Sequence, residues 1–98
     1  MPNKSIIRAK NAGVFYGEVV AREDAPNGVN VTIRNCRRIW YWEGAASLSQ
    51  LAMEGVKRPQ ECKFTVVVPE MEVMDVIEII PCTEEACGVI NSVPVWKI

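Results

Sequence analysis

Arg34, Arg37, Arg38, Trp40, Tyr41 and Trp42 fall within nine consecutive positions of the chain. Guanidinium groups pair with phosphate oxygens in a two-pronged geometry, and flat aromatic faces accept a nucleobase by stacking. Those are the two things a nucleotide requires. The same residue types also serve a purely structural purpose: tryptophans anchor a core, and arginines lay their stems over a sheet edge. On residue type alone the structural account is the better one, because three large aromatics are what a core of this size uses anyway.

The elements that must position these residues follow from composition and periodicity. Ser5 to Ala9 and Val14 to Arg22 are largely β-branched, aromatic or small, with turn residues Asn11, Ala12 and Gly13 between them, and predict two strands. The run from Glu23 to Gly28 contains Pro26 and the Asn27-Gly28 pair, and predicts a hairpin turn into a strand over 29–34. A short break at Asn35-Cys36 leads into a further strand over 37–42. Period-two alternation there puts Arg38, Trp40 and Trp42 on one face and Arg37, Ile39 and Tyr41 on the other. If the strand bearing Phe15 and Tyr16 lies alongside, one of that pair shares the face of the tryptophans.

After Gly44 the pattern becomes helical. Leu48, Leu51 and Ala52 recur at helical spacing, Gly55 supplies a stop, and Ser47, Ser49, Gln50 and Glu54 form the polar side. Lys63 to Val68 and Met71 to Ile80 read as two apolar strands split at Pro69-Glu70, as a hairpin or a bent pair, and Glu72 and Asp75 break the alternation of the second in the manner of a β-bulge. Thr83 fits a helix N-cap with Glu84 and Glu85 in the first turn, where their charge complements the helix dipole, and this helix is expected to reach about Ser92. Val93 to Ile98 is extended and apolar enough to dock on the sheet or on a second subunit. The expected fold class is α+β: a single domain over residues 1–98, with a mainly antiparallel sheet of about six strands and two short helices.

Several function classes lose ground on composition. Eleven Lys and Arg against twelve Asp and Glu leave a net charge of −1, which offers no general attraction to a nucleic-acid polymer or an anionic membrane. The opening residues hold no apolar stretch of signal-peptide length, and no later run approaches the roughly 20 residues that span a bilayer, so a cytoplasmic location is expected. The chain has no histidine, which removes the usual base from serine, cysteine and general acid/base schemes, and it lacks GxSxG, P-loop and GxGxxG patterns. Cys36, Cys62, Cys82 and Cys87 match neither a CxxC redox pair nor zinc knuckles and read as small apolar residues in or near the core. Carboxylate pairs such as Glu84 with Glu85 or Glu70 with Glu72 are accounted for by surface solvation. No catalytic residue, metal site or cofactor is expected.

The stretch from Asn35 to Ala52, together with Gly13-Val14-Phe15-Tyr16-Gly17 and the run from Ile77 to Glu84, resembles the first-described family of phage Thoeris anti-defence proteins. The resemblance takes in almost the whole chain. It implies a non-enzymatic sponge that binds cyclic ADP-ribose isomers made by bacterial TIR-domain immune enzymes and holds them uncleaved in the cytoplasm of the infected host. It also implies capture of cyclic oligonucleotide signals, cyclic trinucleotides among them, at a separate site, and assembly of homodimers into hexamers. The candidate ligand-binding residues are Phe15, Arg34, Arg37, Arg38, Trp40, Trp42, Ser47, Ser49 and Gln50. In that scheme Arg37 and Arg38 neutralise phosphates, Trp40 or Trp42 stacks the base, and Ser47, Ser49 and Gln50 bind ribose hydroxyls. A phage accessory protein that binds another protein through the apolar C-terminal residues around Trp96 is the alternative, and a single-stranded nucleic-acid binder built on the same aromatic strand is the weakest reading.

Overall fold

The computed structural model describes residues 3–26 and 28–98. Five strands and two helices follow one another as β1 (Lys4–Ala9), β2 (Gly13–Ala25), β3 (Gly28–Tyr41), α1 (Leu48–Glu54), β4 (Lys63–Phe64), β5 (Val68–Pro81) and α2 (Glu84–Ser92). All strand pairings in the sheet are antiparallel. The α+β class with two helices is as expected, with five strands rather than six.

The sheet closes on itself. β1 pairs with both β2 and β5, and β3 also pairs with both β2 and β5, so four strands form a ring. Alternation then sorts neighbouring side chains onto two cores. Ile7 and Phe15 join Val31, Ile33, Cys36, Val73 and Val76 on the face turned into the ring. Their chain neighbours Ile6 and Tyr16 join Ile39 and Phe64 under the two helices, together with Leu51, Ala86 and Ile90.

Two expected boundaries are corrected. Residues 29–34 and 37–42 do not form separate strands, because β3 runs through Asn35 without ending. Asn35 adopts φ 49°, and the register steps from Glu18↔Arg34 to Tyr16↔Arg37, which inserts one extra residue in β3. This is a β-bulge, and Asn is among the residues that tolerate the left-handed region. Gly17 on β2 makes room for it: a Cβ there would lie 2.6 Å from the Cβ of Cys36. Pro69-Glu70 is likewise no hairpin, since β4 and β5 both run along β3 in the same direction. Pro69 sits opposite Asn35, between the Cys36↔Val68 and Arg34↔Glu70 pairs, where β5 keeps its register with β3 while β3 bulges against β2.

Other expectations hold. β2 and β3 form the predicted hairpin; Asn27 in its turn lies outside the described residues. The bulge expected near Glu72 and Asp75 is present, with Asp75 at φ 55° and a register step between Val29↔Val76 and Val31↔Val73. Ser47 caps α1 and Gly55 ends it at φ 79°, while Thr83 caps α2 and accepts from the Ala86 amide. The C-terminal segment docks on β4 through a parallel bridge between Phe64 and Val95.

Candidate ligand-binding site

Arg37 and Arg38 are neighbours in β3, so alternation sends them to opposite faces. Arg37 turns toward the helices and is buried. Its guanidinium donates to five backbone carbonyls: Thr65 (3.0 Å), Ile90 (3.1 Å), Val93 (3.0 Å), Phe64 (3.2 Å) and Pro94 (3.4 Å). Those acceptors lie on the β4 segment and on the last turn of α2 with the residues after it. Burial pushes the guanidinium below its ordinary pKa, with nearby Tyr16 acting the other way. Arg37 therefore ties the C-terminal part of the chain to the sheet, and the phosphate role expected of it is corrected to a structural one.

Arg38 turns toward the ring and comes to rest at its mouth. Its guanidinium lies over the ring of buried Phe15, 4.6 Å from the centroid, and Nη1 donates to the carbonyl of Ala12 at 2.6 Å. A cation over an aromatic face gains roughly 0.5–2 kcal/mol, and the second contact fixes the plane. Among the described residues Nε and Nη2 have no acceptor and Arg38 makes no ion pair. Phe15 and Arg38 line a cleft of about 400 Å³ whose remaining walls are the β1–β2 turn (Asn11, Ala12) and the bulged part of β5 (Met71 to Asp75).

The other expected site residues divide between two roles. Trp40 is 65% exposed, and the alternation expected to place it with Arg38 is interrupted by a register shift against β4 between Ile39 and Tyr41. Together with Tyr41 and Trp42 it lines an open recess of about 340 Å³ at the end of β3. Trp42 leaves the expected alternation after the register shift between Ile39 and Tyr41; it packs against the helix-side core and donates from Nε1 to the carbonyl of Ala45 at 3.2 Å. The Tyr41 hydroxyl is hydrogen-bonded to the carboxylate of Glu43. Arg34 is not in the cleft: it lies exposed across the β3–β5 ladder from Glu70, paired with it at 3.0 Å.

The polar face of α1 is taken up by the helix itself. Ser47 accepts from the Gln50 amide (3.2 Å), and Gln50 accepts from the Ala46 amide (2.7 Å) and donates to Glu54 (3.3 Å). That is a capping arrangement: Ser47 and Gln50 cap the helix, and neither lines the Arg38 cleft. Ser49 is exposed on the same helix. The cleft residues that sequence reasoning missed are Asn11 and Ala12 of the β1–β2 turn and the β5 residues from Met71 to Asp75. The one signal for them was the broken alternation at Glu72 and Asp75, which marked the bulge without saying what it faces.

All four cysteines are buried and unpaired. Burial raises the thiols of Cys36 and Cys62 and pushes Cys82 up to about 12, so these three are protonated at neutral pH.

The chain belongs to the DUF6948 family. This family is defined by a domain of unknown function, and it matches residues 3–90, which takes in every strand, α1 and α2 as far as Ile90. No curated protein and no solved structure matches the chain. No helix among the described residues is long and apolar enough to cross a membrane.

Proposed function

We propose that this DUF6948 domain binds a small nucleotide signal in the Arg38 cleft and acts by holding it, as a phage anti-defence sponge for cyclic ADP-ribose isomers in the cytoplasm of the infected bacterium. The observation that carries the reading is Arg38 itself: a guanidinium seated on Phe15, fixed by one backbone carbonyl, with its remaining donors open to a cleft. A charge held in place before the ligand arrives loses little freedom on binding, which is how a small site reaches high affinity. Trp40, two residues further along β3 and largely exposed, is the candidate to stack a ring attached to a phosphate on Arg38. Sequestration requires binding without turnover: protein in excess of the signal lowers the free signal in proportion to affinity and site number. Capture of cyclic oligonucleotides at a second site and assembly into dimers or hexamers belong to the same reading and rest on the resemblance.

Titration calorimetry with cyclic ADP-ribose isomers tests it, with chromatography of the ligand released by heat. Charge-assisted hydrogen bonds contribute about 1.5–3 kcal/mol, so Arg38→Ala is expected to weaken binding by roughly ten- to a hundredfold, and the released ligand is expected intact. Unchanged affinity in a folded Arg38→Ala protein sinks the site, and recovery of a hydrolysed ligand sinks the sponge. A second reading has one observation behind it: Val95, Trp96 and Ile98 are exposed on the docked C-terminal segment, beside exposed Val66 and Val67 of the β4–β5 connection. That apolar surface fits a protein partner, and co-purification of a host protein in place of a nucleotide favours it.

A further inference from the structure

The open recess at the end of β3 is lined by three consecutive aromatic residues, Trp40, Tyr41 and Trp42. A regular strand sends consecutive side chains to alternate faces. Here β3 moves on by two residues, from Ile39 to Tyr41, while its partner β4 moves by one, from Phe64 to Lys63, and β3 then ends. Alternation therefore no longer separates the three side chains, and they border one space. That space shares no lining residue with the Arg38 cleft.

Two of its walls are anchored. Trp42 packs against the helix-side core and donates to the Ala45 carbonyl, and the Tyr41 hydroxyl is bonded to the carboxylate of Glu43. The third wall, Trp40, leaves 65% of its surface to solvent. No lining residue carries a charge, and the charged groups that bear on Tyr41 are carboxylates: the hydrogen bond to Glu43 raises its hydroxyl above the ordinary pKa, with the charges of Glu43 and Glu61 acting in the same sense. Lys63, the register partner of Tyr41, carries its ammonium over the ring of Trp96 instead, 5.4 Å from the centroid. An anion that enters the recess meets carboxylates with no lining cation to offset them. A cation meets the negative faces of aromatic rings with a carboxylate beside them.

We propose that this recess is a second binding site, and that it takes an alkylated ammonium cation. A bare ammonium is strongly hydrated and loses water at a high cost, whereas an alkylated one presents apolar surface to the rings while its charge still faces their π clouds. The chain then carries two sites of opposite preference: a guanidinium cleft for an anion and, at the end of the same strand, an aromatic recess for a cation.

The probes are choline and its uncharged isostere 3,3-dimethylbutan-1-ol, which differ in charge at nearly constant shape. Each is titrated against the full chain, without nucleotide, by the broadening of its methyl resonance. Choline is expected to saturate and to bind at least about threefold more tightly than the alcohol. Trp40→Ala, at an exposed position, is expected to remove most of that binding, and Trp40→Phe, which keeps a smaller aromatic face, to retain part of it; melting curves establish that both variants are folded. Equal affinity for the alcohol overturns the proposal, as does choline binding that survives Trp40→Ala in a folded protein, or a wild-type protein that shows no saturable choline binding. Each of these failures leaves the Arg38 cleft standing, since no nucleotide enters the titration.

Discussion

Arg37 and Arg38 are adjacent, chemically identical and indistinguishable in the sequence, yet they belong to different parts of the molecule. On the helix side Arg37 is buried and spends its donors on five backbone carbonyls. On the ring side Arg38 uses one donor for Ala12 and leaves the others open to a cleft. The difference comes from the Asn35 bulge. Alternation continued from Ile33 without an extra residue would turn position 37 into the ring and position 38 toward the helices; the inserted residue reverses that assignment. What decides whether an arginine is part of the scaffold or part of a site is thus the phase of the strand, set by one residue in the left-handed region.

The comparison breaks most visibly in stability. Arg37→Ala strips a donor from several buried carbonyls at once, so it is expected to cost at least about 3 kcal/mol, or more than about 10 °C in melting temperature. Arg38→Ala, at a rim with access to water, is expected to melt within a few degrees of wild type while losing ligand. Calorimetric melts of the two variants check the pair, and a reversal of the two effects would overturn the division of labour. Next in size is Gly17→Ala. The new methyl would meet the Cβ of Cys36 at 2.6 Å, so the bulge must shift, at a cost of about 1–3 kcal/mol. Because the bulge also phases Arg38, this variant is expected to weaken ligand binding as well, and chemical denaturation paired with a binding titration reads both effects. The smallest is Ser47→Ala, which removes the cap of α1 and is expected to cost about 1 kcal/mol by the same denaturation measurement with ligand affinity unchanged. A fall in affinity there would return Ser47 to the ligand site.

Much of the fold was legible from local chemistry. Thr83 and Ser47 announced their helices because a cap is a short-range hydrogen bond, and Glu23 to Gly28 announced its hairpin because the turn composition is local. What was hidden depends on contacts between distant parts of the chain. Asn35 and Pro69 both look like punctuation, and only their opposition across the β3–β5 ladder shows that each interrupts a strand without ending it. The fate of Arg37 required knowing that the end of α2 returns to β4, which no spacing in its own strand reveals. The wall of the cleft was invisible too, since Asn11 and Asp75 meet only once the sheet has closed.

Closure of the four strands into a ring has a kinetic meaning. A strand in an open sheet can peel from its edge by breaking one ladder, whereas each ring strand must break two before it is free. The C-terminal segment has no such protection: it is held to β4 by the Phe64–Val95 bridge and the Trp96 amide on the Phe64 carbonyl (2.9 Å), with Arg37 behind it. Opening events are therefore graded, with amides after α2 released far below the global unfolding energy and those of β1, flanked on both sides, released only with it. Arg37 bridges the two regimes: its acceptors at Val93 and Pro94 belong to the first part of the chain to let go, and the strand that carries it belongs to the last.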